Sequence, residues 1–179
     1  EFLNKRILGG LNLLLNRSKK HSLETAQQAI ESLIEQDVDH ICVTGDLTNL
    51  ALESEFNESI KLISQIPNSE QRVSVIPGNH DYYTREAART RRFERFFAPY
   101  IQSDLEAYQR DSGYPFCHMR GSAAIIGLKS AEPTSWLCAN GTVPKPQLEA
   151  AKALLEDPNL RDKFKIVLIH HHLLPPQDS

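Results

Sequence analysis

Three short apolar segments of the sequence are each followed directly by polar side chains. The residues at these three ends are Gly45-Asp46, Gly78-Asn79-His80-Asp81 and His170-His171-His172. Short apolar runs that are bounded by turn residues are typical of buried strands. Since carboxylate, amide and imidazole groups follow three such strands, the sequence predicts one shared site at their ends.

The segments between these strands carry apolar side chains at helical spacing. The pattern predicts helices over residues 22–36, 51–66, 85–100 and 147–157. Helices that alternate with strands favour parallel strands joined by right-handed crossovers. Two further strand candidates, 114–120 and 122–130, are separated by Arg120-Gly121 and indicate a hairpin. The predicted fold class is therefore α/β.

The composition is that of an ordinary globular protein. The chain has 179 residues, of which 40% are hydrophobic and 24% charged, so we expect one domain over residues 1–179. A net charge of −3 leaves no basic surplus for a nucleic-acid polymer. The three cysteines are an odd number without paired spacing, which favours a reducing compartment and predicts a cytoplasmic location.

Residues 1–20 combine apolar side chains with basic flanks. The chain begins at Glu1 rather than at Met, which predicts an internal portion of a longer protein. We interpret this segment as a helix or lid that packs on the domain, although Gly9-Gly10 disfavours a continuous helix. The alternative is contact with lipid or with an acyl-bearing substrate, because Lys and Arg flank the apolar side chains.

The predicted sheet brings donor groups of three kinds together. The carboxyl ends of parallel strands gather at one edge, where open α/β sheets place their sites. Asp46 offers a carboxylate, Asn79 an amide oxygen and His170 an imidazole nitrogen. Such donors suit divalent Zn, Fe, Mn or Ni, and the residue types do not select among these metals. A pair of divalent ions would activate water and bind a phosphate group.

The motifs GDLTN and GNHD, followed by an apolar strand that ends in HH, resemble those of the calcineurin-like metallophosphoesterase superfamily. The resemblance extends over the whole chain. Residues 113–131 and 139–157 are similar to the bacterial branch near class III cyclic-nucleotide phosphodiesterases. The resemblance implies a four-layer α/β/β/α sandwich and a metal-dependent phosphoesterase in which a metal-activated water attacks phosphorus.

The resemblance also implies a role for each residue of the motifs. Asp46 would bridge two metal ions, and Asn79 and His170 would bind one of them. Asn79 and His80 would contact the substrate phosphate, with His80 as the charge stabiliser and proton donor to the leaving oxygen. Asp81 would orient His80 and favour its charged form, as a carboxylate beside an imidazole does.

The sequence departs from the family pattern at both ends. The family begins with an Asp-x-His motif, whereas no aspartate precedes Asp37 here. The family ends with Gly-His-x-His, and this sequence stops at Ser179 before such a motif. The resemblance therefore implies most ligands of one metal ion but only Asp46 for the second. We expect a complete two-ion site only in the longer protein.

Several alternatives stay open on the sequence. A phosphodiester, such as a cyclic nucleotide, is the favoured substrate, and a phosphomonoester or a lipid-linked pyrophosphate are alternatives. A non-catalytic binding module on the same scaffold is the rival function. His171 and His172 are alternatives to His170 as the metal ligand. Three further residues are candidates near the metal or in the substrate cleft: Asn49, Trp136 and Asn140.

Overall fold

A computed structural model describes residues 23–134 and 140–173 of the chain. Its helices and strands are mixed along the sequence, so the predicted α/β class is confirmed. The helices are α1 (Leu23–Glu35), α2 (Glu53–Ile63), α3 (Ser69–Arg72), α4 (Arg85–Arg89), α5 (Arg92–Phe96) and α6 (Lys145–Leu155). The strands are β1 (Ile41–Val43), β2 (Val73–Val75), β3 (Phe116–Arg120), β4 (Ala123–Gly127) and β5 (Phe164–Leu168). Single turns of 3-10 helix cover Ala98–Tyr100, Glu106–Tyr108 and Pro158–Leu160.

Some sequence predictions lie outside the described residues. These are the N-terminal helix or lid over residues 1–20, the first residue of the helix predicted over residues 22–36, and the cleft residue Trp136. Within the two described segments, no helix combines the length and the apolar character needed to cross a bilayer.

The first sheet consists of β1 and β2, which pair in parallel. Ile41 lies opposite Val73, and Val43 lies opposite Val75. All three residues of β2 are buried, as expected for a strand with both faces covered. The parallel pairing puts the carboxyl ends of β1 and β2 at the same edge of the sheet. GDLTN follows β1 and GNHD follows β2, so both motifs begin at this edge.

The second sheet has the order β3-β4-β5. β3 and β4 form an antiparallel hairpin in which Arg120 pairs with Ala123, so the predicted hairpin is confirmed. Gly121 in this turn has φ +56°, a left-handed conformation that suits glycine. β4 and β5 are parallel, with Gly127 opposite Leu168. This pairing leaves the residues after Leu168, including the three histidines, at the carboxyl end of β5.

Three apolar clusters hold the helices and sheets together. The largest joins β1 and β2 to the helices through buried side chains such as Phe56, Val75 and Phe93. A second packs α6 on β3 and β4 through residues such as Leu154 and Ile126. A third contains residues of both sheet regions: Ile76, Ile101, Tyr114, Phe116, Ile125 and Leu168.

The helix predicted over residues 85–100 is wrong as a single element. Residues 85–89 and 92–96 form separate short helices, because Arg91 adopts a left-handed conformation with φ +49°. Thr84 caps the first of them by accepting a hydrogen bond from the backbone N–H of Ala87. Arg92 is buried rather than solvated, and its guanidinium donates to the backbone oxygen of Ala51 at 2.7 Å. The break thus turns one arginine of a basic segment inward as a structural group.

A chain of polar side chains connects the two sheets. His40 Nε2 is 2.8 Å from Ser74 Oγ, and Ser74 Oγ is 2.6 Å from His118 Nδ1. His118 Nε2 lies 2.9 Å from the Gln102 carbonyl oxygen and therefore donates to it. With Nε2 protonated, Nδ1 of the neutral ring accepts from the Ser74 hydroxyl. His118 thus links β3 to β2 through Ser74, and His40 links the start of β1 to the same serine.

Candidate metal centre

The turns after β1 and β2 touch each other through their backbones. A Cβ atom on Gly45 would lie 2.2 Å from the backbone nitrogen of Gly78. Any side chain at this position would therefore separate the two turns. Gly45 has φ +98° and Asp46 has φ +57°, so both residues adopt the left-handed conformation. Asp tolerates this conformation better than most residues because its short side chain bonds locally. The tight turn projects the Asp46 carboxylate toward the second turn.

The side chains of Asp46, Asn79 and His170 lie close together. His170 Nε2 is 3.2 Å from Asn79 Oδ1 and 3.7 Å from Asp46 Oδ1. The three residues follow the carboxyl ends of β1, β2 and β5 respectively, and these strands belong to two different sheets. The structure thus brings together the three residues predicted as metal ligands.

A hydrogen bond at Nδ1 determines that Nε2 is the ring nitrogen of His170 that faces Asp46 and Asn79. His170 Nδ1 lies 2.6 Å from the backbone oxygen of Thr44. A carbonyl oxygen only accepts, so Nδ1 carries a proton and donates it. In the neutral ring, Nε2 then presents its lone pair to the oxygens of Asp46 and Asn79. Three electron-rich atoms that face each other require a proton or a cation between them.

Of these two distances, 3.2 Å lies within the range expected for ligands of one divalent ion and 3.7 Å lies slightly above it. Donor atoms about 2.1 Å from a common ion stand roughly 3.0–3.6 Å apart for ligand angles near 90–120°. A histidine ligand that donates its other N–H to a backbone carbonyl is the usual arrangement at metal sites. Among the described residues, no cluster of three or more His, Cys, Asp or Glu side chains could hold a metal. Asp46 and His170 provide two residues of those types, and the third donor is the Asn79 amide oxygen.

His80 directly follows Asn79, and two contacts hold its imidazole ring. Its Nδ1 is 2.9 Å from the backbone oxygen of Asn49, so Nδ1–H donates to that carbonyl. The ring also stacks on Tyr83, with 5.7 Å between centroids. Asn49, named from the sequence as a residue near the metal, contributes this carbonyl contact. Any residue type supplies a backbone oxygen, so the side-chain pattern predicted the position of Asn49 near the site but not this contact.

The carboxylate of Asp81 is buried and bonded to both turns. Its Oδ1 accepts from the backbone N–H and the hydroxyl of Thr48, at 2.9 and 3.0 Å. Its Oδ2 accepts from the backbone N–H of Gly78 at 2.9 Å. Burial raises the pKa of Asp81 to about 7, and the Asp46 charge adds to this, while the three hydrogen bonds act in the opposite direction. Asp81 thus links the turn that carries Asp46 to the turn that carries His80.

The predicted orientation of His80 by Asp81 stays a prediction. The hydrogen bonds of the Asp81 carboxylate described above go to Thr48 and Gly78, and the ring nitrogen of His80 contacts Asn49. Thr48 was not among the predicted site residues. Its position inside GDLTN, two residues after Asp46, was the only available signal.

The other two histidines of the triplet lie in different surroundings. His171 Nδ1 is 2.7 Å from Ser130 Oγ, and a Cβ on Gly141 would lie 2.2 Å from the same nitrogen. His171 therefore packs against Ser130 and Gly141. His172 is exposed, as is Asn140. Of the three histidines, His170 is the one whose ring nitrogen faces Asn79 and Asp46.

A cavity of about 600 Å³ adjoins the turn that carries Asp46. Asp46, Asn49 and His80 line one part of it, and residues of α1 and α2 line the rest. This volume lies within the usual range for small-molecule sites. The cavity therefore gives the predicted site a space in which a substrate can lie.

Comparison with known proteins gives one family match. The model of a family described as calcineurin-like phosphoesterase matches residues 19–179. Neither a curated protein nor a solved structure gives a significant match.

Proposed function

This chain belongs to the calcineurin-like phosphoesterase family, and from that membership we propose that its site hydrolyses a phosphodiester with the help of metal ions. Members of the family are generally metal-dependent hydrolases of phosphate esters. The observation that carries the proposal for this chain is the approach of His170 Nε2 to Asn79 Oδ1 and Asp46 Oδ1, at 3.2 and 3.7 Å.

We assign Asp46, Asn79 and His170 as ligands of one divalent ion. The bond from His170 Nδ1–H to Thr44 supports this assignment because it holds the ring with Nε2 toward the two oxygens. For the complete protein the proposal includes a second ion, which Asp46 would also help to hold. Mn, Fe, Zn and Ni all suit these donors. When bound, such ions stabilise charge on the phosphate and activate water.

The residues of the chain itself position the substrate and supply a proton. His80 donates through Nδ1 to Asn49, which holds the ring in one orientation. In its charged form His80 also carries a proton on Nε2, which it would give to the leaving oxygen. Its positive charge would stabilise the phosphate, which Asn79 would also contact. Asp81 fixes this geometry by bonding to Thr48 and Gly78.

The finer features of the family fold are part of the same proposal. A four-layer α/β/β/α sandwich is supported by the three apolar clusters, which join α1 and α2 to the first sheet, the sheets to each other, and α6 to the second sheet. A single domain, similarity to the bacterial branch and a cytoplasmic location are further parts that follow from the sequence.

The test is metal analysis of the full-length protein together with hydrolysis of bis(p-nitrophenyl) phosphate in added Mn²⁺. We expect bound metal and turnover. His170→Gln should lower both, with at least about a hundredfold loss of turnover, since metal stabilisation is worth several kcal/mol. His172→Gln is the matched control because His172 is exposed, and it should behave as the wild type. A metal-free and inert full-length protein would instead favour a non-catalytic binding module.

A further inference from the structure

The cavity beside Asp46 has two parts of different character. Asp46, Asn49 and His80 form its polar part, which is continuous with the proposed site. The part between α1 and α2 is lined mainly by aliphatic side chains: Ala26, Ala29, Ile30, Val43, Leu62 and Ile63. A group bound at the polar part would therefore extend over an aliphatic surface.

Two of the polar side chains that line the cavity, Glu55 and Ser59, are occupied by internal hydrogen bonds. The Glu55 carboxylate accepts from the backbone N–H groups of Asn49, Leu50 and Leu52, at 2.9–3.1 Å. The Ser59 hydroxyl donates to the backbone oxygen of Leu47 at 2.8 Å. These groups stabilise the start of α2 and the turn after β1. The aliphatic side chains thus provide most of the contact surface left for a ligand.

The described lining also lacks the groups that select a nucleotide. None of the described residues that line the cavity is Phe, Tyr, Trp, Lys or Arg. Bases bind largely by stacking on aromatic or Arg side chains, and additional phosphates bind to cations. Glu55 and Glu58, by contrast, would repel a second anionic group.

We infer that the cavity receives an uncharged aliphatic group of the substrate, so that the preferred substrate is a phosphate ester with an alkyl chain. This inference rests on the proposed function of the adjoining site. The phosphate would lie near Asp46 and His80, and the chain would extend between α1 and α2. Burial of each methylene contributes about 0.8 kcal/mol, or about fourfold in affinity.

The experiment measures binding and catalysis separately on the full-length protein. Calorimetric titration with methyl-, butyl- and octylphosphonate, which are not hydrolysed, should show at least tenfold tighter binding from methyl to butyl. Uridine 5′-monophosphate should bind more weakly than butylphosphonate. Hydrolysis of p-nitrophenyl methyl phosphate, which has no long chain, reports the proposed function independently.

Two variants test whether the alkyl chain of the ligand binds in this cavity. Ala29 lines the cavity and is exposed on α1, so Ala29→Phe should fill the space without disturbing the core. It should remove the dependence on chain length while hydrolysis of the methyl ester continues. Ala153→Phe is the matched control, since Ala153 is equally exposed on α6 and does not line the cavity. Ala26→Phe provides a second test if Ala29→Phe is unstable.

The possible outcomes separate the inference from the proposed function. Three results would each overturn the inference. The first is equal affinity for all three alkylphosphonates, and the second is tighter binding of uridine 5′-monophosphate than of butylphosphonate. The third is that affinity still rises with alkyl chain length in both cavity variants. Chain-dependent binding that is lost in the variants would support it even without turnover. Absence of turnover with the methyl ester would contradict the proposed function alone.

Discussion

The backbone N–H of His80 donates to Oδ1 of Asp46 at 3.0 Å. The proposed bridging ligand therefore also fixes the backbone of the proposed proton donor. Since the two residues follow different strands, this bond holds the two turns together, in addition to the bonds between Thr48 and Asp81. A carboxylate oxygen at Asp46 thus has a structural role that is separate from its charge.

Replacement of Asp46 should separate these two roles. Asp46→Asn keeps an acceptor oxygen and tolerates the left-handed conformation of residue 46, but it removes the negative charge. We expect at least a hundredfold loss of turnover and of bound metal, with a melting temperature close to that of the wild type. Metal analysis and thermal denaturation in EDTA measure the two effects.

Asp46→Ala is the companion variant. It loses the acceptor and places a non-glycine residue without a polar side chain at φ +57°. Each change costs about 1 kcal/mol, so its free energy of unfolding should fall by roughly 2 kcal/mol. Equal stability of the two variants would show that the bond to His80 contributes nothing.

Gly78 allows the site residues to approach each other. A Cβ at this position would lie 2.2 Å from Asp46 Oδ1 and 2.7 Å from His170 Cε1. Gly78→Ala should therefore displace both ligands, lowering turnover at least tenfold and the free energy of unfolding by roughly 1–3 kcal/mol. Gly121→Ala is the control, because a Cβ there meets nothing within 4 Å and costs only backbone strain. Full turnover by Gly78→Ala would mean that the turns do not pack as described.

The sequence predicted the residues that lie at the strand ends but not the bonds between them. Asp46, Asn79 and His170 were predicted together because apolar strands end just before them, and parallel pairing brings such ends to one edge. Thr44 and Asn49 take part through backbone oxygens, which any residue type supplies. Contacts of this kind depend on turn geometry and cannot be read from side-chain patterns.

Helix boundaries were predictable only where the apolar pattern was continuous. α2 lies within the predicted residues 51–66, because its apolar residues recur regularly before Pro67. The break at Arg91 interrupts a segment whose composition favours a helix throughout. Burial of Arg92 against Ala51 accompanies that break, and tertiary contacts of this kind override local propensity.

His80 should affect turnover more than metal binding. Its proposed role is proton donation and charge stabilisation. A general acid typically raises the reaction rate by about 10²–10⁴-fold. His80→Asn should therefore lower kcat by that order and leave the metal content unchanged. The loss should be smaller for a substrate with a good leaving group such as p-nitrophenolate than for an alkyl ester. A variant that loses its metal would identify His80 as a ligand instead.

The chain His40–Ser74–His118 predicts how stability depends on pH. Burial, followed by the charge of Arg120, lowers the pKa of His118 to about 4, although Asp104 acts in the opposite direction. Burial, Arg120, His118 and Arg72 lower the pKa of His40 to about 4 as well. A pKa that is lower in the folded protein means that the unfolded chain binds protons first. The stabilisation is therefore complete above pH 6.5 and is lost as the pH falls toward 4.

Replacement of the His118 ring should reduce the stability that the protein loses as the pH falls. His118 is 1% exposed, and its titration should lower the free energy of unfolding by roughly 2 kcal/mol between pH 7 and pH 5. His118→Gln keeps a side chain that can bond to Ser74 but does not titrate. Urea denaturation in EDTA should therefore show a smaller difference between pH 7 and pH 5 in this variant, by about that amount. The exposed His172→Gln variant should keep the wild-type difference, and an unchanged difference in His118→Gln would contradict a neutral buried ring.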